Sequence, residues 1–213
     1  MRPTPVPAPV APPLPGAVLC DLDGVLRLWD APSMSALDRA HGLPEGTLAG
    51  AAFRPERLTP AITGLSPDTD WRTAVTGDLA AVWGAERARA LTDAWSAQRG
   101  RVDGEVLRLL TDVRRRVPVV LVTNATTRLE EDLVALELAD AVDAVVNSAR
   151  LGAAKPDAAV YHAAAETAGV PPARCLFVDD GEANVEAAVR QGMTGHHYAN
   201  AAGLRGALGG LVL

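Results

Sequence analysis

The chain has 213 residues, 48% of them hydrophobic, and a formal charge of −6. That length carries one domain, or one domain with an insertion, and the acidic balance leaves no chain-wide basic field for nucleic acid or an anionic membrane surface. No stretch approaches the roughly 18 uninterrupted apolar residues of a membrane helix, and prolines replace an apolar leader at the amino-terminus, so a cytoplasmic protein with no membrane partner is expected.

Prolines recur through residues 2–15. They exclude helix and leave too little apolar surface to fold, which predicts a disordered tail over residues 1–16; a Pro-x-x-Pro spacing at Pro9 and Pro12 follows from composition and carries no function. The folded part opens with the apolar run Ala17-Val18-Leu19-Cys20, read as a buried strand that ends abruptly in Asp21-Leu22-Asp23-Gly24. From about residue 30 to residue 101 the pattern is helical and punctuated by Pro44, Pro55, Pro60 and Pro67, with no convincing strand. Helix-period segments at 105–115, 127–138, 158–168 and 182–191 then alternate with apolar runs at 117–122, 143–146 and 175–178, followed by a weaker strand at 195–198 and a short helix at 204–208. Strands alternating with helices predict an α/β fold, a doubly wound parallel-sheet (Rossmann-like) core formed by residues 17–29 and 102–213, with residues 30–101 as a helical cap. Cys20 and Cys175 lie inside apolar strands, where thiols serve as small hydrophobes, so no disulfide is expected.

In such a sheet, ligands bind beyond the carboxyl ends of the strands. Those ends carry Asp21 and Asp23, Thr123 with Asn124, and Asp179 with Asp180; the loop Gly152-Ala153-Ala154-Lys155-Pro156-Asp157 adds an ammonium. A carboxylate can attack phosphorus to give an acyl phosphate once negative charge is neutralised, which makes Asp21 the candidate nucleophile. Asp23, two residues on in an extended segment, leans from the same face and is the candidate general acid and base. A hard cation such as Mg²⁺ would relieve the repulsion between a phosphate and the carboxylates of Asp21, Asp179 and Asp180. Thr123 and Lys155 can donate to phosphoryl oxygens, and Gly24 lets the first loop turn tightly with its amides toward an anion. Lys155 is the single lysine beside nineteen arginines; a compact charge on a flexible stem suits contact with both a carboxylate and a phosphoryl oxygen.

These residues resemble the four motifs of the haloacid-dehalogenase superfamily, in order: Asp21-Leu22-Asp23-Gly24-Val25, Val122-Thr123-Asn124, Lys155-Pro156-Asp157 and Phe177-Val178-Asp179-Asp180. The resemblance implies a Rossmann-like core, a nucleophilic aspartate, an aspartyl-phosphate intermediate, and Mg²⁺ held by the first and fourth motifs, with Asp23 lending its backbone carbonyl to the metal. It also implies a mobile cap closing over a small substrate; the insertion's position directly after Asp23 puts its hinges near Trp29 and Val102, and Asn124, next to Thr123, is a candidate substrate-binding residue with Gly24. True dehalogenases of the family do not keep an aspartate at the position of Asp23, so phosphate chemistry is favoured. Asn184 stands where the family often has an aspartate and is expected at most to orient a ligand.

A phosphomutase shares these motifs, and a catalytically silent phosphate-binding protein could share the fold. A receiver domain is disfavoured by the insertion after the first strand, and a dinucleotide-dependent oxidoreductase by the absence of a glycine-rich turn there. The four histidines show no metal-ligand spacing, Trp71, Trp83 and Trp95 read as cap core, and Trp29 lies near enough to the hinge to touch substrate.

Overall fold

The computed structural model describes residues 14–29 and 33–212; most of the proline-rich tail, including Pro9 and Pro12, lies outside them. In chain order, β1 (Ala17–Cys20) is followed by a two-residue strand β2 (Arg27–Leu28), five helices α1 (Ser33–Ala40), α2 (Thr47–Ala52), α3 (Pro55–Ile62), α4 (Asp68–Trp83) and α5 (Ala85–Ala97), and a second short strand β3 (Arg101–Val102). The rest alternates: α6 (Gly104–Arg114), β4 (Val119–Thr123), α7 (Leu129–Ala135), β5 (Ala144–Asn147), α8 (Ser148–Leu151), α9 (Ala158–Ala168), β6 (Cys175–Asp179), α10 (Glu182–Arg190), β7 (Thr194–His197) and α11 (Ala201–Leu208).

Five of these strands form one parallel sheet in the order β5-β4-β1-β6-β7. Successive strand residues face opposite sides, so Val18, Cys20, Val119 and Leu121 enter one buried cluster with α6 and α11, while Ala17, Leu19, Val120 and Val122 enter another with α9. Burial on both faces explains why β1, β4 and β6 read as unbroken apolar runs. Beneath the second face Tyr161 meets Phe177 edge-on at 5.2 Å and donates its hydroxyl to the carbonyl of Asn184 at 2.9 Å.

The helices α1 to α5 form a cap around a third cluster that includes Leu48, Val75 and Leu91. Trp71 and Trp95 contribute to it and meet edge-on at 5.1 Å. Where the chain leaves the core and returns, β2 and β3 pair antiparallel, Arg27 opposite Val102 and Leu28 opposite Arg101. A two-residue pairing has no periodicity to read, so the sequence shows none there. The cap rests on the core through a polar seam: the Thr126 hydroxyl donates to Asp68 Oδ1 at 2.7 Å, Arg128 Nη1 to the Ser96 carbonyl at 2.8 Å, and Arg99 Nη1 to Asp132 Oδ1 at 2.9 Å.

The structure departs from the sequence reading in small ways. The helix expected over 127–138 is confined to Leu129–Ala135 and ends near Glu137, which takes a left-handed φ of 58°. The edge strands shift by one residue, and α8 follows β5 directly, its first turn capped by the Asn147 side chain on the Ala149 amide at 2.9 Å.

At Gly64, φ 73°, the cap backbone packs tightly on the core: a Cβ there would lie 2.0 Å from the Ala149 carbonyl oxygen. Gly64→Ala must therefore adopt a left-handed conformation and displace main chain. It is expected to lower unfolding stability by at least about 1–2 kcal/mol in urea titration, with greater protease sensitivity across the cap.

Candidate active site

The strand order reverses at β1, since β4 and β5 lie on one side of it and β6 and β7 on the other, which opens a crevice beyond the carboxyl ends of β1 and β6. Asp21 directly follows β1, Asp179 ends β6 and Thr123 ends β4. The crevice, about 590 Å³, is lined by Asp21, Asp23, Gly24, Thr123, Lys155 and Asp180, among others.

Lys155 ties the strand ends together. Its ammonium lies 2.8 Å from Asp21 Oδ1 and 2.6 Å from Asp179 Oδ2, with 1% of the side chain exposed. The loop carrying it is held by Asn124, whose Oδ1 accepts from the Lys155 amide at 2.7 Å while its Nδ2 donates to the Lys155 carbonyl at 2.9 Å. Asn124 lines the crevice, but its side-chain amide is committed at both ends to positioning the lysine. Asp21 Oδ1 also accepts from the Leu22 amide at 2.7 Å. Asp179 Oδ1 accepts from the Gly181 amide at 2.8 Å and from Asn184 Nδ2 at 3.0 Å, so Asn184 orients a carboxylate.

Carboxylate oxygens of Asp21, Asp179 and Asp180 lie within 4.8 Å of one another. Burial pushes the Asp21 carboxyl up to about 7, against the pull of Lys155 and with the added push of Asp179. Asp180 is raised too, by burial and then by Asp179. Burial acts to lower Lys155, but Asp21 and Asp179 outweigh it and the net direction is upward. Three carboxylates facing one ammonium leave negative charge uncompensated in a partly dry site, which a hard cation with oxygen ligands corrects. The Thr123 hydroxyl is buried and has no hydrogen-bond partner among the described residues. An orphaned buried hydroxyl costs about 1–3 kcal/mol, and one lining a polar crevice is matched to a ligand acceptor. Gly24 has φ 80°, and a Cβ there would lie 2.0 Å from Asp180 Oδ2; the tight turn serves close approach of that carboxylate.

Asp23 stands apart from the carboxylate cluster. Its Oδ1 accepts from Arg27 Nε at 2.6 Å and from the Trp29 indole N–H at 2.8 Å, and its Oδ2 accepts from Arg27 Nη2 at 2.8 Å. The Arg27 side chain is 6% exposed and also reaches Asp132 Oδ2 at 3.3 Å. Sequence reasoning missed Arg27; the available signal was a charge interrupting the apolar stretch Val25-Leu26-Arg27-Leu28. Asp21, Thr123, Lys155, Asp179 and Asp180 thus converge, Asp23 lies at the edge of the same crevice, and Gly24 is the turn that lets them meet.

A family model for haloacid dehalogenase-like hydrolases matches residues 15–192. Phosphatase MT3486 of Mycobacterium tuberculosis (strain CDC 1551 / Oshkosh) is 30% identical over 184 residues, 83% of this chain and 84% of the relative. Among solved structures, a HAD family enzyme of Bacteroides thetaiotaomicron in complex with magnesium and inorganic phosphate superposes with a TM-score of 0.70 at 20% identity, covering 86% of this chain and 93% of that one. The L-2-haloacid dehalogenase of Xanthobacter autotrophicus gives 0.62 at 22% identity, over 85% and 76%. At these identities the structural likenesses establish the fold.

The raised Asp21 carboxyl fixes a pH dependence. Because the folded state holds a proton between about pH 4 and 7 that the unfolded chain has released, stability in chelator falls as pH rises through that window. The melting-temperature gain from Mg²⁺ is therefore expected to widen from about pH 5 to 8. Gly24→Ala, by displacing Asp180, should shrink that gain at every pH, as differential scanning fluorimetry with and without Mg²⁺ would show.

Proposed function

The chain belongs to the haloacid dehalogenase-like hydrolases, and from that premise we propose that it is a Mg²⁺-dependent phosphohydrolase of small phosphate monoesters, acting through an aspartyl-phosphate on Asp21. The observation that carries this reading is the crevice itself: an acid cluster with uncompensated charge beside an ammonium and a hydroxyl whose hydrogen bond is unmet. Support also comes from Asp23, the carboxylate that true dehalogenases lack, and from the M. tuberculosis relative, itself a phosphatase.

The oxygen-only donor set fits Mg²⁺, which the carboxylates of Asp21, Asp179 and Asp180 and the backbone carbonyl of Asp23 would hold. When bound, the cation supplies charge neutralisation between the phosphate dianion and the carboxylates. Asp21, oriented through Oδ1 by Leu22 and Lys155, attacks phosphorus; the bond to the ester oxygen breaks, and Asp23 delivers a proton to that leaving oxygen. Thr123 Oγ1 and Lys155 Nζ donate to phosphoryl oxygens as charge redistributes. In the second half, Asp23 takes a proton from the attacking water, the bond from phosphorus to Asp21 breaks, and inorganic phosphate leaves.

Phosphate release from a panel of monoesters, with Mg²⁺ and with chelator, tests this. Asp21→Asn is expected to cut turnover by at least about 10³-fold while still unfolding in a single cooperative transition, and normal turnover in that variant would refute the mechanism. Thr123→Val should lose on the order of 10²-fold in kcat. Asp23→Asn should lose far more on an alkyl phosphate than on p-nitrophenyl phosphate, whose leaving group needs no proton; equal losses would remove Asp23 from the acid role. A rearranged ester in place of free phosphate would identify a phosphomutase.

A further inference from the structure

Beside the carboxylate crevice lies a second cavity of about 340 Å³ between cap and core, within the range of small-molecule pockets, roughly 300–1,000 Å³. The two share Asp23, Trp29 and Asn124 as a common wall. Asp23, the candidate proton donor to the leaving oxygen, thus stands between the phosphoryl side and this cavity. An ester with its phosphate at Thr123 and Lys155 and its ester oxygen at Asp23 would extend its alcohol part into the second cavity.

The lining of that cavity indicates what the alcohol part is. Trp71, Trp95, Phe53, Leu58 and Ile62 of the cap supply most of its apolar wall. Phe53 is 48% exposed and Trp29 41%, so two large rings of the lining remain open to incoming ligand. Charges are present but answered. Arg72 pairs with Asp68 at 2.7 Å and lies 4.1 Å over the Trp95 ring; Arg27 pairs with Asp23 and Asp132; Arg128 pairs with Asp132 at 3.1 Å. Three lining arginines thus meet three lining carboxylates, which gives a second anionic group on the substrate nothing to gain. Several polar donors are used up as well: Trp29 donates to Asp23, Trp71 to the Ala52 carbonyl at 3.1 Å, and Thr126 to Asp68, which leaves the Gln98 amide and the Trp95 indole N–H as the neutral donors of the lining. Two such groups can satisfy one or two hydroxyls, so a hydroxyl-rich ligand would lose most of its hydration there without replacement.

We propose that this cavity binds the alcohol part of the substrate and selects an uncharged, apolar, ring-sized group, so that the enzyme acts on phosphate monoesters of aryl-alkyl or cyclic alkyl alcohols in preference to sugar phosphates and phosphorylated acids. The proposal rests on the phosphohydrolase reading above and adds the substrate class to it. Specificity resides in the cap side chains, Phe53 and Ile62 among them, and the chemistry in the core crevice.

The test compares 2-phenylethyl phosphate, ribose 5-phosphate and 2-phosphoglycolate, all esters of primary alcohols, so the reactivity of the leaving group does not decide the ranking. With Mg²⁺ the first is expected to exceed the others in kcat/KM by roughly 10–100-fold, the gain of burying a phenyl-sized group. Phe53→Ala, at a half-exposed position where folding is not at risk, should narrow that ratio several-fold, and Ile62→Glu should narrow it further. Equal rates, or preference for the sugar phosphate or the diacid, would overturn the proposal. Binding is read separately: Trp29, Trp71 and Trp95 line the cavity, so the non-hydrolysable 2-phenylethylphosphonate should change tryptophan fluorescence in wild type and in Asp21→Asn. A fluorescence change with no hydrolysis of any ester would retain the cavity assignment and reject the phosphohydrolase reading. No change together with no discrimination among hydrolysed esters would reject the cavity assignment alone.

Discussion

The site depends on one buried ammonium. Lys155 holds Asp21 and Asp179, which follow and end adjacent central strands of the sheet, and without it two buried carboxylates would lose their shared cation. Breaking a buried pair by removing one partner typically costs about 3–5 kcal/mol, because the remaining charge is left uncompensated. Lysine serves better than arginine here, since a compact ammonium fits between two carboxylate oxygens at 2.6 and 2.8 Å while a planar fork would demand paired acceptors in its own plane. That geometric demand accounts for one lysine in a chain otherwise served by arginine. Asn124, a residue of the neighbouring strand end, then fixes the lysine loop through its main chain, so the site is held by three strand ends at once.

Much of this was legible in the sequence. A buried parallel strand must be apolar along its whole length, and a functional loop must turn polar at once, so Ala17-Val18-Leu19-Cys20 running into Asp21, and Cys175-Leu176-Phe177-Val178 running into Asp179, announce both the sheet and its working edge. Less legible were contacts between segments that are weakly patterned or far apart. The β2–β3 pairing involves two residues on each side and joins positions more than seventy apart. Arg27 gave only the sign of a charge in an apolar stretch; its partner Asp132 lies 105 residues on, and no local rule links the two. Trp71 and Trp95 were read correctly as cap core, but the same residues also line a cavity, and periodicity reports only that a face is buried, not what it is buried against.

Asp23, the proposed general acid and base, stands where the two halves of the molecule meet. A guanidinium with 6% of its side chain exposed requires a carboxylate partner at all times, yet an acid that delivers a proton must be neutral for part of each turnover. Were Asp23 the sole partner of Arg27, every protonation of Asp23 would leave a buried cation unanswered. Asp132 removes that conflict by offering Arg27 a second carboxylate at 3.3 Å. Asp132 is itself held by Arg128 of the core and by Arg99 at the cap's returning segment, so the arrangement that lets Asp23 change charge is built from residues on both sides of the seam. On the proposed role of Asp23, a cap seated on the core is part of what would make the acid usable, and the geometry matches: the chain that leaves the site at Asp23 supplies, within four residues, the cation that joins the returning Arg99 through Asp132.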